Sequence, residues 1–300
     1  MDVPLSKRLM QGVVLEEVQQ PDFACESISA ISPTFYTSKV LEIAKFISEY
    51  YVCSLGEALA LFTPHTLHES AVTKPFMRTT ITLSKEQQNA YDFIESHTAS
   101  LLFGDTGSGK TEIYMKLFEA CIAKKEQAIF LLPEIGLTPQ MKQRLKAHFG
   151  EHVAIWHSKI TAKKKEAILQ GIQEGKICIV AGTRSALFLP LERLGLIVVD
   201  EEHDESYKSG SRPRYNAKDV SLVFGQKLGC KVVLGSATPN LASFHKMPFF
   251  RLKGTFFDSK LSIAYDEGEH GISDKIVCSI NKALSASKQV VVFLPTRANF

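Results

Sequence analysis

Hydrophobic positions along this chain recur with two different periods. From residue 38 to 62, Val40, Leu41, Ile43, Ala44, Ile47, Tyr50 and Tyr51 follow helical spacing. From Leu83 onward, short apolar runs alternate with longer segments of helical period. The runs predict strands at 100–103, 127–132, 153–156, 177–181, 196–199 and 231–234, and the segments predict helices at 84–97, 111–123, 138–148, 161–174 and 216–228. A run such as 196–199 has no polar alternation, as expected of a strand buried on both faces. The expected fold class is therefore α/β, a doubly wound, mostly parallel sheet with helices on both sides.

The flanking regions are less regular. Strand-like pieces at residues 12–15 and 27–31 are split by Pro21 and Pro33. Residues 63–82 are polar, contain proline, and read as a linker. Residues 240–289 show no clear period, and 289–293 read as one more buried strand, where a further domain would begin.

Three hundred residues accommodate one substantial domain and a smaller one. A net charge of +3 is too mild to indicate nucleic acid by itself. The sequence has no signal-peptide pattern and no apolar run near roughly eighteen residues, so a cytoplasmic protein without a membrane partner is expected. The six cysteines (25, 53, 121, 178, 230 and 278) form no Cys-x-x-Cys, and are expected to be reduced and mostly buried. The pairs His65/His68 and His148/His152 have ligand-like spacing but no third ligand, so neither is expected to hold a metal.

The chemistry concentrates in two places. Gly104-Asp105-Thr106-Gly107-Ser108-Gly109-Lys110-Thr111 follows an apolar strand and opens a helix. Glycines let a backbone curl until successive N–H groups face phosphate oxygens, and a helix N-terminus adds a favourable dipole. Lys110 would reach the β/γ-phosphates and Thr111 would ligate Mg²⁺. Ninety residues later the buried run 196–199 ends in Asp200-Glu201-Glu202-His203. In a phosphate-loop site Asp200 would order the metal, and Glu201 would polarise the attacking water. Both would lie at the carboxyl end of their strand, where open α/β sheets bind ligands.

Three more segments sit at predicted strand ends: Leu132-Pro-Glu-Ile-Gly-Leu-Thr138-Pro139, Gly182-Thr-Arg184-Ser-Ala-Leu-Phe188 and Gly235-Ser236-Ala-Thr238-Pro239. Together with the phosphate loop and the acidic strand end, they resemble the superfamily 2 helicases, and the wording of each motif is similar to the PriA replication-restart helicase family. The resemblance is tight over about residues 80–245 and looser at both ends.

It implies a RecA-like P-loop lobe at 83–250, preceded by a partial N-terminal DNA-binding region at 1–70 and a linker at 71–82, and followed by the start of a second helicase lobe at 251–300. It implies an ATP-dependent DNA helicase, 3′→5′, acting with Mg²⁺ in replication restart, with forked or single-stranded DNA, primosome components and single-strand-binding proteins as partners. Gln87 matches the glutamine that reads adenine, and Ser236 and Thr238 match the motif coupling hydrolysis to strand movement. Thr138 and Arg184 lie in segments that face the nucleic-acid backbone in this superfamily, and His203 belongs with the same contact-or-coupling set. Thr138 is equally well placed as a helix N-cap ahead of Pro139.

Residues 204–215 interleave Tyr207 and Tyr215 with Lys208, Arg212 and Arg214. They resemble the family's aromatic-rich loop: tyrosines would stack on unpaired bases while the basic residues meet phosphates. The run 163–165 of three lysines reads as the solvated face of a helix.

Against the family pattern, the first residues match the middle of the N-terminal domain, no winged-helix domain precedes the core, and the zinc-binding cysteines and the arginine finger would fall beyond residue 300. An arginine finger is worth ~10³–10⁵ in rate. The competing expectation is thus a nucleotide-gated DNA-binding module without turnover.

Overall fold

Seven strands form one parallel sheet in the computed structural model of the chain, which describes residues 2–5, 8–16, 19, 22–25, 28, 30–66, 81–133, 136–254, 263, 265 and 273–292. The strands are β5 (Ala99–Gly104), β6 (Gln127–Leu131), β7 (Val153–Trp156), β8 (Ile179–Gly182), β9 (Leu194–Val199), β10 (Lys231–Ser236) and β11 (Phe249–Leu252). Their order across the sheet is β11-β5-β10-β9-β6-β8-β7, every neighbouring pair parallel. Successive residues of each strand enter opposite cores: Leu101, Ile129, Ile197 and Val232 on one side, Leu102, Phe130, Val198 and Val233 on the other. That two-sided burial is why the strands read as unbroken apolar runs.

One face is covered by α3 (Lys85–Glu95), α4 (Lys110–Ala123) and α5 (Pro139–Phe149). On the opposite face lie α6 (Ala162–Gln173) and α7 (Ala217–Leu228). The same layer contains α1 (Ser38–Tyr50) and α2 (Leu55–Leu59), whose Ile43, Ala44, Ile47 and Leu59 are buried with Phe188 and Phe224. Phe62 fastens this segment edge-on to Phe188 at 5.0 Å and stacks on Phe224 at 6.1 Å. The Thr63 N–H donates to the Phe188 carbonyl at 3.0 Å, and the Asn216 N–H donates to the Tyr51 hydroxyl at 3.2 Å.

The chain divides into two compact units, residues 1–256 and 257–300. The first also holds the hairpin β1 (Asp2–Leu5)–β2 (Arg8–Gln11) and the short antiparallel pair β3 (Thr34–Phe35)–β4 (His65–Thr66). The second contains α9 (Asp274–Ser285).

Several expectations need correction. The helical stretch 38–62 breaks after Tyr51, where Val52 takes a positive φ of 49° and Ser54 caps α2 with a full capping box. Residues 12–15 form no strand, and the hairpin lies earlier in the chain; of 27–31, residues 27 and 29 lie outside the described set. Residues 289–292 are irregular, with no neighbouring strand to pair them among the described residues, and Phe293 lies outside that set. The interval 240–289 conceals α8 (Leu241–Lys246), β11 and α9. Within the expected linker, residues 65–66 are β4, and 67–80 lie outside the described set.

Candidate functional site

The strand ends at Gly104, the helix begins at Lys110, and the five residues between form the loop the sequence promised. Gly107 and Gly109 hold φ at 81° and 91°, values that favour glycine. Gly109 is the N-cap of α4 and supplies no side-chain cap, so the helix's first N–H groups lack the usual side-chain acceptor. Buried Lys110 donates from Nζ to the Gly104 carbonyl at 2.6 Å and the Asp105 carbonyl at 3.4 Å. Among the described residues no carboxylate pairs with it. Ser108 Oγ is buried without a hydrogen-bond partner. An uncapped helix start, an ammonium with no carboxylate in ion-pair contact and an orphaned hydroxyl fit a phosphate group. Thr111 follows Lys110 in the first turn of α4. Gln87 reaches this loop: its Oε1 closes the capping box of α3 on the Ser84 N–H, and its Nε2 donates to the Gly109 carbonyl at 3.3 Å.

Asp200 lies at the carboxyl end of β9, two strands from the phosphate loop, and its N–H donates to the Leu131 carbonyl at 3.0 Å. Its Oδ1 accepts from the Tyr114 hydroxyl at 3.1 Å. Burial and the adjacent Glu201 charge push the Asp200 carboxyl up to about 6, while Lys110 and the Tyr114 hydrogen bond pull the other way. Burial and the charge of Asp200 raise the Tyr114 phenol well above its ordinary value, so it remains a donor. Glu201 sits at a positive φ of 47°, turning the chain sharply just after the strand.

That turn brings the acidic motif against the end of β10. His203 Nδ1 lies 2.7 Å from Ser236 Oγ and 3.7 Å from Glu201 Oε2, and its Nε2 lies 3.3 Å from Thr238 Oγ1. The Thr238 N–H donates to Ser236 Oγ at 3.0 Å. Glu201, His203, Ser236 and Thr238, scattered over nearly forty residues of sequence, thus form one contact set.

Thr138 is an N-cap, accepting from the Met141 N–H at 3.2 Å ahead of Pro139, and its residue is exposed. Arg184 opens a 3-10 turn after β8 and donates to the Ser206 carbonyl at 2.8 Å and the Lys208 carbonyl at 3.3 Å. It therefore fastens the 204–215 loop and lines a small cavity with Ser158, Thr183 and Ser185.

The loop itself differs from expectation. Tyr207 and Tyr215 are only 1% and 4% exposed, so neither offers a ring face to a base. The Tyr207 hydroxyl donates to the carbonyls of Asp200 at 2.5 Å and Leu131 at 3.1 Å, and Tyr215 packs edge-on against Phe188 at 5.0 Å. The stretch is also not loose: Lys208 and Asn216 form a β-bridge, and the Ser209 N–H donates to the Tyr215 carbonyl at 2.8 Å. Apolar rings beside a packed core are worth more buried than solvated, and each hydroxyl finds an acceptor or cation there. Lys208, Arg212 and Arg214 are exposed, as expected.

Three features escaped the sequence reading. Tyr114 stands one helical turn beyond Lys110, a spacing that carries the signal only in hindsight. Arg251 on β11 pairs with both oxygens of Asp105 at 3.0 and 3.1 Å and lies 3.7 Å above the Phe103 ring. Glu202 is buried, its carboxylate on Lys218 at 3.1 Å. The cysteines are free, with Cys121, Cys178 and Cys230 buried and Cys25 and Cys278 exposed. His148 bonds Glu119 and His152 the Lys176 carbonyl; His68 lies outside the described residues. Among the described residues no helix is long and apolar enough to cross a membrane.

Residues 84–247 match the DEAD/DEAH box helicase family, and residues 1–64 match the 3′DNA-binding domain (3′BD) family. The chain is 43% identical over 302 residues to the replication restart protein PriA of Helicobacter pylori strain J99, covering 100% of this chain and 49% of that protein. Against the PriA of Rickettsia conorii it is 38% identical over 256 residues, covering 82% and 39%. The chain thus spans about half or less of the length of these relatives.

Proposed function

The chain belongs to the DEAD/DEAH box helicase family, and on that footing we propose that it binds ATP with Mg²⁺ and couples hydrolysis to movement along DNA in replication restart. The observation that carries this is the phosphate loop with its buried Lys110 and orphaned Ser108 Oγ, set beside Asp200 and Glu201 at the carboxyl edge of one parallel sheet.

Lys110 neutralises the β/γ-phosphates, the N–H groups of residues 105–111 cradle them, and Ser108 Oγ gains its missing partner. Thr111 and Asp200 would hold Mg²⁺, which when bound supplies positive charge for the developing phosphate charge. Glu201 orients and deprotonates the attacking water. Gln87, in contact with Gly109, reads the base. His203 carries the state of Glu201 to Ser236 and Thr238. Lys208, Arg212, Arg214, Arg184 and Thr138 form the DNA side, with the basic side chains meeting phosphates. Tyr207 and Tyr215 act from inside as the loop's anchors, Tyr207 on the backbone of Asp200 itself. We propose residues 1–70 as a further DNA contact, 71–82 as a linker, 83–250 as the motor lobe and 251–300 as the start of a second lobe, with primosome and single-strand-binding proteins as partners.

The test is steady-state phosphate release by the 300-residue chain, with and without forked DNA, beside Lys110→Ala. DNA-stimulated turnover absent from the variant supports the reading. Nucleotide binding without turnover would instead make the chain a nucleotide-gated DNA-binding module. No nucleotide binding at all would remove the site.

A further inference from the structure

Behind the reactive carboxylates lies a second acidic group whose chemistry the proposed mechanism does not use. Glu202 follows Glu201 directly, yet its side chain is fully buried. Its Oε1 accepts the Asn240 N–H at 2.6 Å, and its Oε2 accepts from Ser243 Oγ at 2.8 Å and lies 3.1 Å from Lys218 Nζ. Lys218 Nζ also reaches Ser243 Oγ at 3.4 Å and is itself nearly buried. Its other acidic neighbour, Asp219, stands farther off at 3.9 Å and is exposed. The Glu202 N–H donates to the Gly235 carbonyl at 3.0 Å, so backbone and side chain grip the same turn from both ends.

The three elements joined here matter more than the pair itself. Asn240 caps α8 and closes the turn running from Ser236 through Thr238, the residues that meet His203. Lys218 stands in the first turn of α7, two residues past the N-cap Asn216, where the 204–215 loop ends. A buried carboxylate holding two donors and one cation is costly to build and stays only if every partner remains in place.

We propose that Glu202 and Lys218 are positioning residues: the pair sets the turn that presents Ser236 and Thr238 to His203, and ties that turn to the exit of the DNA-facing loop. This rests on the proposed function for its consequence, since the turn is the coupling element of that reading. Its geometry stands independently. Displacement of the loop's exit moves Lys218, Lys218 moves Glu202, and the Asn240 N–H follows the carboxylate. The His203 contact then opens without any change at the phosphate loop.

The experiment uses the 300-residue chain with ¹⁵N-labelled histidine and compares Lys218→Met, Lys218→Arg and Ser243→Ala. In Lys218→Met the His203 ring signals should move toward those of a solvent-exposed imidazole. Lys218→Arg should restore them, and affinity for a fluorescent ADP analogue should stay within about twofold. The ratio of DNA-stimulated to unstimulated phosphate release should fall about tenfold in Lys218→Met. Should that variant fail to fold, Ser243→Ala removes a single contact to Glu202 and should shift His203 in the same direction by less. Unchanged His203 signals in a folded variant, or nucleotide affinity falling together with the ratio, would overturn the inference. Wild-type chain without turnover would sink the proposed function instead, and the histidine signals would still decide the role of this pair.

Discussion

Tyr114 occupies the space where a side chain of Gly235 would stand: a Cβ added at Gly235 would lie 1.7 Å from the phenol oxygen and 3.1 Å from Asp200 Oδ1. Gly235, next to last in β10, is therefore required by a tyrosine of α4, and that tyrosine donates to the Asp200 carboxylate at the end of the neighbouring strand. Gly235→Ala should displace the phenol and destabilise the chain by about 1–3 kcal/mol, the usual cost of overpacking. Tyr114→Phe in the same chain removes the atom nearest the new methyl and should return part of that loss. Urea denaturation of the two single variants and the double variant reads it directly; strictly additive losses would mean that the two residues do not compete for this space.

Glu201→Gln should retain nucleotide binding while steady-state phosphate release falls by at least about a hundredfold, because only activation of the water is lost. Titration with a fluorescent nucleotide alongside phosphate release separates the two effects. Equal loss of binding would make Glu201 a structural residue.

Replacing Lys208, Arg212 and Arg214 together with alanine should weaken single-stranded DNA binding and flatten its salt dependence by about 2 in log–log slope, near 0.7 per phosphate contact. Fluorescence anisotropy over a range of salt concentrations measures the slope. These side chains are exposed, so the fold should tolerate their loss. A weakened affinity with an unchanged slope would place the phosphate contacts elsewhere.

His65 on β4 packs against Phe35 at 5.7 Å and is largely buried, which lowers its pKa against a smaller opposing pull from Glu192. The folded state thus binds the imidazole proton less tightly than the unfolded chain does. This contribution to stability is present above pH 6.5 and is lost as the pH falls below that value, because the unfolded chain takes up the proton first. The Tm of the wild type should drop further between pH 7.5 and 5 than that of His65→Phe. Parallel curves would show that the ring is protonated with equal ease in both states.

Much of this lobe was legible because its sheet is buried on both sides: a run such as Ile197–Val199 has no other stable place, and the four helices between such runs, with the one just before the first, follow from period alone. The phosphate loop was legible for a related reason, since positive φ at Gly107 and Gly109 leaves few alternatives to glycine. Edge strand β11 was not, because Phe249–Leu252 is half-exposed and only four residues long. Tyr207 and Tyr215 misled because aromatic rings among basic residues look alike whether they face bases or a core, and only the carbonyls of Leu131 and Asp200 distinguish the two. Glu202 was invisible for the same reason: three consecutive acidic residues give no sign that the third points inward.

The layer that α1 and α2 share with Phe188 and Phe224 has a consequence for the order in which the chain is made. Residues 43 and 47 leave the ribosome long before residue 224, and at ~5–20 residues per second that interval is on the order of ten seconds or more. Until Phe188 and then Phe224 have emerged, the apolar stripe of α1 lacks these partners, and a nascent chain halted before α7 leaves it only partly covered for whatever holdase stands at the exit tunnel. Synthesis thus leaves α1 waiting for α7, and the layer they share closes only once both have emerged.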